Sequence, residues 1–404
     1  MTKKIVVSGA SGKLGRAMLE ALFLNIGMKI ENGFDMVLFS QDTLKTSSVL
    51  ADVYLGGISK MDQDILDNFK KVNFEISNDE KSIKDADYVI NIAGHFPWKN
   101  KDELDLYKKL GSKNNTSADR IVQSLCNYNN VKNFSKQIAK YAPNAVVVNV
   151  ANQADMIAQL FRDFLPNNDV YGFGGDIDTT RFLQFESAKL GISPFDISAN
   201  IIGYHHSGMV LNEDSFRING KKVSKEVFLD AQKTLTDTTI YGYAVSSGAV
   251  ETEHVGRDTG SSVLPGTALA RLILTLTGNH KSYIRSYNTK MDDKLSSIYG
   301  VEKGEHLSVP VYVSKDGFKP LTDIKVSKDE IEKFKFTNAE MQIFMKTMYD
   351  VCKSDEYIDF HKNLENNRIV SIQNKRDKAI AEDVKNAVEN NIIGKIAIIK
   401  ERSL

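Results

Sequence analysis

The chain is poor in the residues that mark several protein classes. Its 404 residues include two cysteines, seven prolines and one tryptophan. Cys126 and Cys352 have neither metal-ligand spacing nor a partner framework, so no resident metal is expected and a reducing cytoplasm is the expected compartment. Charge of one sign is also missing. Lys plus Arg and Asp plus Glu are each 52, for a formal net charge of zero. That balance gives neither a nucleic-acid footprint nor a membrane-attracting field, so neither partner is expected. Long apolar runs are absent, which excludes a hydrophobic spanning helix. The first residues lead straight into a β-branched run, so no signal peptide is expected.

What is present is length for two domains and an ordered set of motifs. Lys3 to Ser8 reads as a buried parallel strand, and Arg16 to Leu22 has helical periodicity. Between them stands Gly9-Ala10-Ser11-Gly12-Lys13-Leu14-Gly15. Strand, glycine turn and helix form the context of a dinucleotide fingerprint: the glycines allow a tight turn and close backbone approach, and the helix N-terminus faces the pyrophosphate. The second strand, Asp35 to Phe39, ends at Ser40, where an acidic residue commonly grips the adenosine ribose. Asp42 takes that role if the turn is longer. Serine tolerates a 2′-phosphate, but no arginine stands beside it, so NAD is expected ahead of NADP.

A second constellation lies between Asp176 and Ser207. Asp178-Thr179-Thr180-Arg181 puts a carboxylate and a guanidinium on one helical face, and His205 follows the next predicted strand. Histidine is an acid/base near neutral pH, and a buried Asp on its other ring nitrogen fixes the tautomer. The planar fork of Arg181 suits a two-point grip on a carboxylate.

The Asp178-x-x-Arg181 and Gly203-Tyr204-His205 motifs resemble those of the lactate/malate dehydrogenase family. The cytosolic malate dehydrogenase branch spaces its histidine one residue farther on, which would select His206. His205 keeps the glycine two residues before it and is the expected acid/base. The resemblance implies an α/β protein with an N-terminal Rossmann dinucleotide-binding domain (1–155) and a C-terminal mixed α/β substrate domain (156–347). A helical extension (348–404) follows. It implies that Ala93 and Gly94, ending the strand begun at Asp85, lie beside the cofactor. Asn152, after the strand Ala145 to Val150, would reach nicotinamide and substrate, although Gln153 replaces the family's proline. Arg120, in register with Asn127, would be the arginine that a closing loop brings to the substrate carbonyl. The loop over 95–120 is longer than the family's and lacks its early arginine, a place Lys99 could fill. Ser261 or Ser262 would line the pocket wall, whereas His254 reads as a surface residue.

Farther along, Phe195 to Ile202 alternates like a strand, Asn219-Gly220 signals a hairpin, and Leu307 to Val311 resembles a family strand. Ser327 to Thr347 reads as a long helix. The implied activity is reversible hydride transfer between NAD and a 2-hydroxy/2-oxo acid. Malate/oxaloacetate comes first, with lactate/pyruvate or a bulkier acid as alternatives, in a homodimer or homotetramer. Two other readings stay open. One is a short-chain dehydrogenase using Tyr349-x-x-x-Lys353. The other is a dinucleotide-binding sensor or scaffold without turnover.

Overall fold

A computed structural model describes residues 2–24, 29–94, 105, 118–205, 208–236 and 262–362. The loop residues 95–104 and 106–117, with Lys99, lie outside the described residues, as do His206, His254, Ser261 and the tail from 363 on.

One nine-stranded sheet organises the chain, in the order β14-β13-β12-β6-β5-β4-β1-β2-β3. The strands β1 (Lys4–Ser8), β2 (Phe34–Phe39), β3 (Val72–Ser77), β4 (Tyr88–Asn91), β5 (Val146–Asn149) and β6 (Val170–Gly172) run parallel. Their order 3-2-1-4-5-6 is that of a Rossmann sheet. Ile5, Val6 and Val7 are fully buried, as a central strand covered on both faces requires. β12 (Tyr283–Lys290), β13 (His306–Ser314) and β14 (Gly317–Pro320) extend the same sheet antiparallel.

Helices cover the sheet and end where the sequence changes. α1 (Lys13–Phe23) buries Met18, Leu19, Leu22 and Phe23, one apolar stripe. α2 (Thr43–Ser59) starts at Asp42, whose carboxylate accepts Lys45 N–H at 2.9 Å. After α3 (Gln63–Lys71) come α4 (Ala118–Tyr141), α5 (Ala154–Phe164) and α6 (Gly174–Leu190), which follow β4, β5 and β6. α6 stops at Gly191, where φ is +66°. α7 (Lys225–Thr236) and α8 (Val263–Leu276) precede β12. α9 (Asp293–Tyr299) joins β12 to β13, and α10 (Lys328–Cys352) is the longest helix among the described residues. Ser327 and Glu330 open α10 with a capping box. α10 runs five residues past the expected Thr347, and 355–362 are helical again.

The expected strand Phe195 to Ile202 is broken. It yields two short strands, β7 (Ile197–Ser198) and β8 (Ile201–Ile202), that pair with different partners. Asn200 between them turns its N–H to Ser215 Oγ at 2.9 Å, ending the first pairing. β8 pairs β9 (Val210–Leu211), and β7 pairs β10 (Arg217–Ile218). β10 and β11 (Lys221–Lys222) form the expected hairpin, with positive φ at Asn219 and Gly220. A small second core gathers Phe182, Leu211, Phe216 and Phe228 beneath this region. Each such side chain contributes roughly 2 kcal/mol by leaving water, and together they hold α6 against the loop that follows β8.

Candidate functional site at the carboxyl ends of the strands

The sequence-predicted residues collect along one edge of the parallel sheet. Ser40 follows β2, Gly9 follows β1, Ala93 and Gly94 follow β4, Asn152 follows β5, and α6 opens after β6. Neighbouring contacts link them in order. Ser40 Oγ donates to Ser11 Oγ at 3.3 Å. A β-carbon on Gly9 would lie 2.6 Å from Ala93 Cα, and one on Gly94 would meet Ala151 Cβ at 3.5 Å. Gly12, Lys13, Ala93, Gly94 and Asn152 are exposed, while the strands beneath them are buried. In open α/β sheets this edge is where ligands bind.

The glycine turn has the shape of a phosphate cradle. Gly9 adopts φ +92°, a conformation that favours glycine. A β-carbon on Gly15 would fall 2.2 Å from Ala10 O, so only glycine lets α1 pack this close to the turn. Gly12, the N-cap of α1, supplies no side-chain cap, and a β-carbon there would meet nothing nearer than Gly9 O at 3.4 Å. The first turn of α1 contains no acid. These features fit a bound dinucleotide pyrophosphate. At the ribose end, Ser40 takes the usual acid's place, and Asp42 spends one carboxylate oxygen capping α2.

The Asp178, Arg181 and His205 set lies beside β6. His205 Nδ1 is 2.6 Å from Asp178 Oδ2, with both side chains buried. Arg181 Nη1 lies 3.9 Å from Asp178 Oδ1, and its side chain is 13% exposed. A carboxylate oxygen thus fixes one ring nitrogen, while the guanidinium keeps access to solvent beside it. Gly203 makes the turn that delivers His205: its φ is +108°, and its N–H bonds Ser308 O at 2.9 Å. A β-carbon there would overlap Gly208 O.

Two contributors were missed in the sequence. A β-carbon on Gly174 would stand 2.9 Å from His205 Cγ, so the first residue of α6 makes room for the ring. The paired glycines Gly174-Gly175 before the Asp-x-x-Arg helix were the available signal. Asp155, in the first turn of α5, accepts the His205 backbone N–H at 2.6 Å. Its separation of fifty residues from His205 left no local cue. Burial raises the Asp155 pKa, with the charges of His205 and Arg162 pulling it back. Arg162, itself buried, is lowered to about 10 by desolvation.

Other expected residues are less engaged. Arg120 falls in the first turn of α4, and nothing is described of its side chain. The Asn152–Gln153 peptide is cis, and Asn152 is exposed at the edge. Ser262 is the N-cap residue of α8 but makes no side-chain cap bond. Tyr349 sits away from the edge, its hydroxyl on Asp163 near the far end of α5, so the Tyr349/Lys353 pair does not join the glycine turn. Among the described residues, no three His, Cys, Asp or Glu side chains are grouped to hold a metal, and no helix is long and apolar enough to cross a membrane.

Known proteins resemble the chain in sequence and in fold. A family model described as "Family 4 glycosyl hydrolase" matches residues 36–177. The match spans β2 to the start of α6 and stops one residue before Asp178. An L-lactate dehydrogenase of Fervidobacterium nodosum is 25% identical over 283 residues, covering 68% of this chain and 80% of the relative. A malate dehydrogenase of Pyrobaculum calidifontis is 29% identical over 272 residues, 65% of this chain and 76% of the relative. In fold, the chain is similar to the lactate dehydrogenase of Eimeria maxima solved with NADH and oxamate. That likeness has a TM-score of 0.63 at 18% identity, over 88% of this chain and 97% of the other. In sequence and in fold the chain is similar to lactate and malate dehydrogenases, oxidoreductases acting on CH–OH groups.

Proposed function

We propose that the chain catalyses reversible oxidation of a 2-hydroxy acid to a 2-oxo acid, with NAD as its cofactor and malate/oxaloacetate as the first substrate pair. The observation that carries this reading is the 2.6 Å contact of His205 with Asp178, on the same helix as Arg181. When bound, the nicotinamide would supply or accept the hydride. Gly9, Gly12 and Gly15 would hold the pyrophosphate at the α1 N-terminus, and Ser40 would face the adenosine ribose. Arg181 would hold the substrate carboxylate through its planar fork. Asp178 keeps Nδ1 engaged, so the travelling proton belongs to Nε2, which gives it to the ketone oxygen or takes it from the alcohol. Arg120 would polarise the carbonyl. Asn152 would orient it, and Ser262 would border the pocket.

The alternative substrates are lactate/pyruvate and a bulkier 2-oxo acid, because no early loop arginine was found to read a second carboxylate. The test is oxidation of NADH and of NADPH against a panel of 2-oxo acids. Turnover with NADH and oxaloacetate above pyruvate is expected. Turnover fastest with a monocarboxylic acid would overturn the substrate assignment. Tight NADH binding with no turnover of any acid would favour the sensor or scaffold reading. Gel filtration with light scattering tests the dimer or tetramer that the family resemblance suggests.

A further inference from the structure

His205 is flanked by two carboxylates, and acid/base chemistry accounts for one of them. Asp178 meets the ring; Asp155, 3% exposed, meets the main chain. A backbone N–H needs an acceptor, but a neutral amide would satisfy it. A buried carboxylate is costly unless cations compensate it. Asp155 Oδ1 has no hydrogen-bond partner among the described residues. Arg162 on the same helix directs its donors to Val170 O and to the side chain and carbonyl of Asn288. Hydrogen bonding alone therefore does not explain why an acid stands there.

We propose that Asp155 is a positioning residue whose negative charge, seated on the amide of His205, holds the turn that carries the imidazole and stabilises its protonated form. The proposal rests on the acid/base role given to His205. Among the described residues, Asp178 on α6 meets the ring and Asp155 on α5 meets its amide; Arg181 stands beside Asp178, and Arg162 and Tyr204 act on Asp155 or are acted on by it. Tyr204 is buried and neutral, with its hydroxyl on His306 O at 2.5 Å and on Asn338 Oδ1. Asp155 and Asp178 are the two anions of this group, so removing either charge must disfavour imidazolium.

The test uses Asp155→Asn, which keeps an acceptor for the N–H and removes the charge, and Asp155→Glu, which restores it. Ketone reduction needs the protonated ring, so kcat/KM falls as pH rises through the ring's titration. With saturating NADH, that fall should move to lower pH by roughly one unit in Asp155→Asn. It should return most of the way in Asp155→Glu, with NADH affinity unchanged in both. An unmoved fall in a folded Asp155→Asn protein, or an equal shift in Asp155→Glu, would overturn the proposal. If the unaltered protein reduces no 2-oxo acid, the activity reading fails separately. NMR of histidine-labelled protein then decides, with His205→Gln used to assign the signal. A lower ring midpoint in Asp155→Asn supports the proposal, and an equal midpoint overturns it.

Discussion

Helix α6 has two buried aspartates, and they do opposite work. Asp176 and Asp178 are two residues apart, which turns their side chains roughly 200° around the helix. Asp176 faces β12 and α8. Arg271 Nη2 reaches both its oxygens at 2.6 Å, Arg285 Nε lies at 3.5 Å, and Tyr287 Oη donates at 3.4 Å. Burial pulls the Arg271 pKa down, and Asp176 more than reverses it. Asp178 faces His205 instead. The difference lies in the partner: a guanidinium stays charged at any working pH, whereas an imidazole changes charge near neutrality. The same acid, equally buried, meets guanidiniums on one face and an imidazole on the other.

Mutations on the two faces should separate these roles. His205→Asn should lower turnover by at least about a hundredfold with NADH binding intact. Near-normal turnover there, with the loss in His206→Asn instead, would move the acid/base to the neighbouring residue. Asp176→Asn should lower unfolding stability by about 3 kcal/mol, because two guanidiniums lose their buried counter-charge. In folded protein below its melting temperature, turnover should change far less than in His205→Asn; an equal loss would erase the distinction between the faces. Arg181→Lys should raise KM for the acid by about tenfold and leave NADH affinity alone, since the bidentate grip is lost.

A smaller effect concerns His306, which is fully buried with both ring nitrogens lacking hydrogen-bond partners among the described residues. Burial first, then Arg162, holds its pKa well below the usual histidine value. The fold keeps the ring neutral, while the unfolded chain binds a proton below about pH 6.5. Stability is therefore fully present above that pH and lost as pH falls below it. His306→Leu should flatten the slope of unfolding free energy between about pH 6.5 and 5 by up to about 1.4 kcal/mol per pH unit. An unchanged slope would assign acid sensitivity elsewhere.

What could be read in advance depended on whether the partners were close in sequence. Gly9, Gly12 and Gly15 sit within one strand–turn–helix unit, so spacing alone gave their geometry. Asp178 and Arg181 share a helical face, which three-residue spacing specifies. Spacing to Arg181 singled out Asp178, but the role of Asp176 could not be read, because Arg271 lies 95 residues downstream. Asp155 was invisible for the same reason, since it acts on an amide placed by a later loop, while Gly174 showed only as half of a glycine pair. The Phe195 to Ile202 alternation misled because tertiary bonds to Asn200 overrode a local pattern.

The most direct test of the account is a crystal structure with NADH and an unreactive amide analogue of a 2-oxo acid. The account predicts the analogue's carboxylate paired with Arg181 and its carbonyl oxygen within hydrogen-bond reach of His205 Nε2, above a nicotinamide at the ends of β4 and β5. An analogue bound away from His205, or a nicotinamide outside that edge, would contradict it.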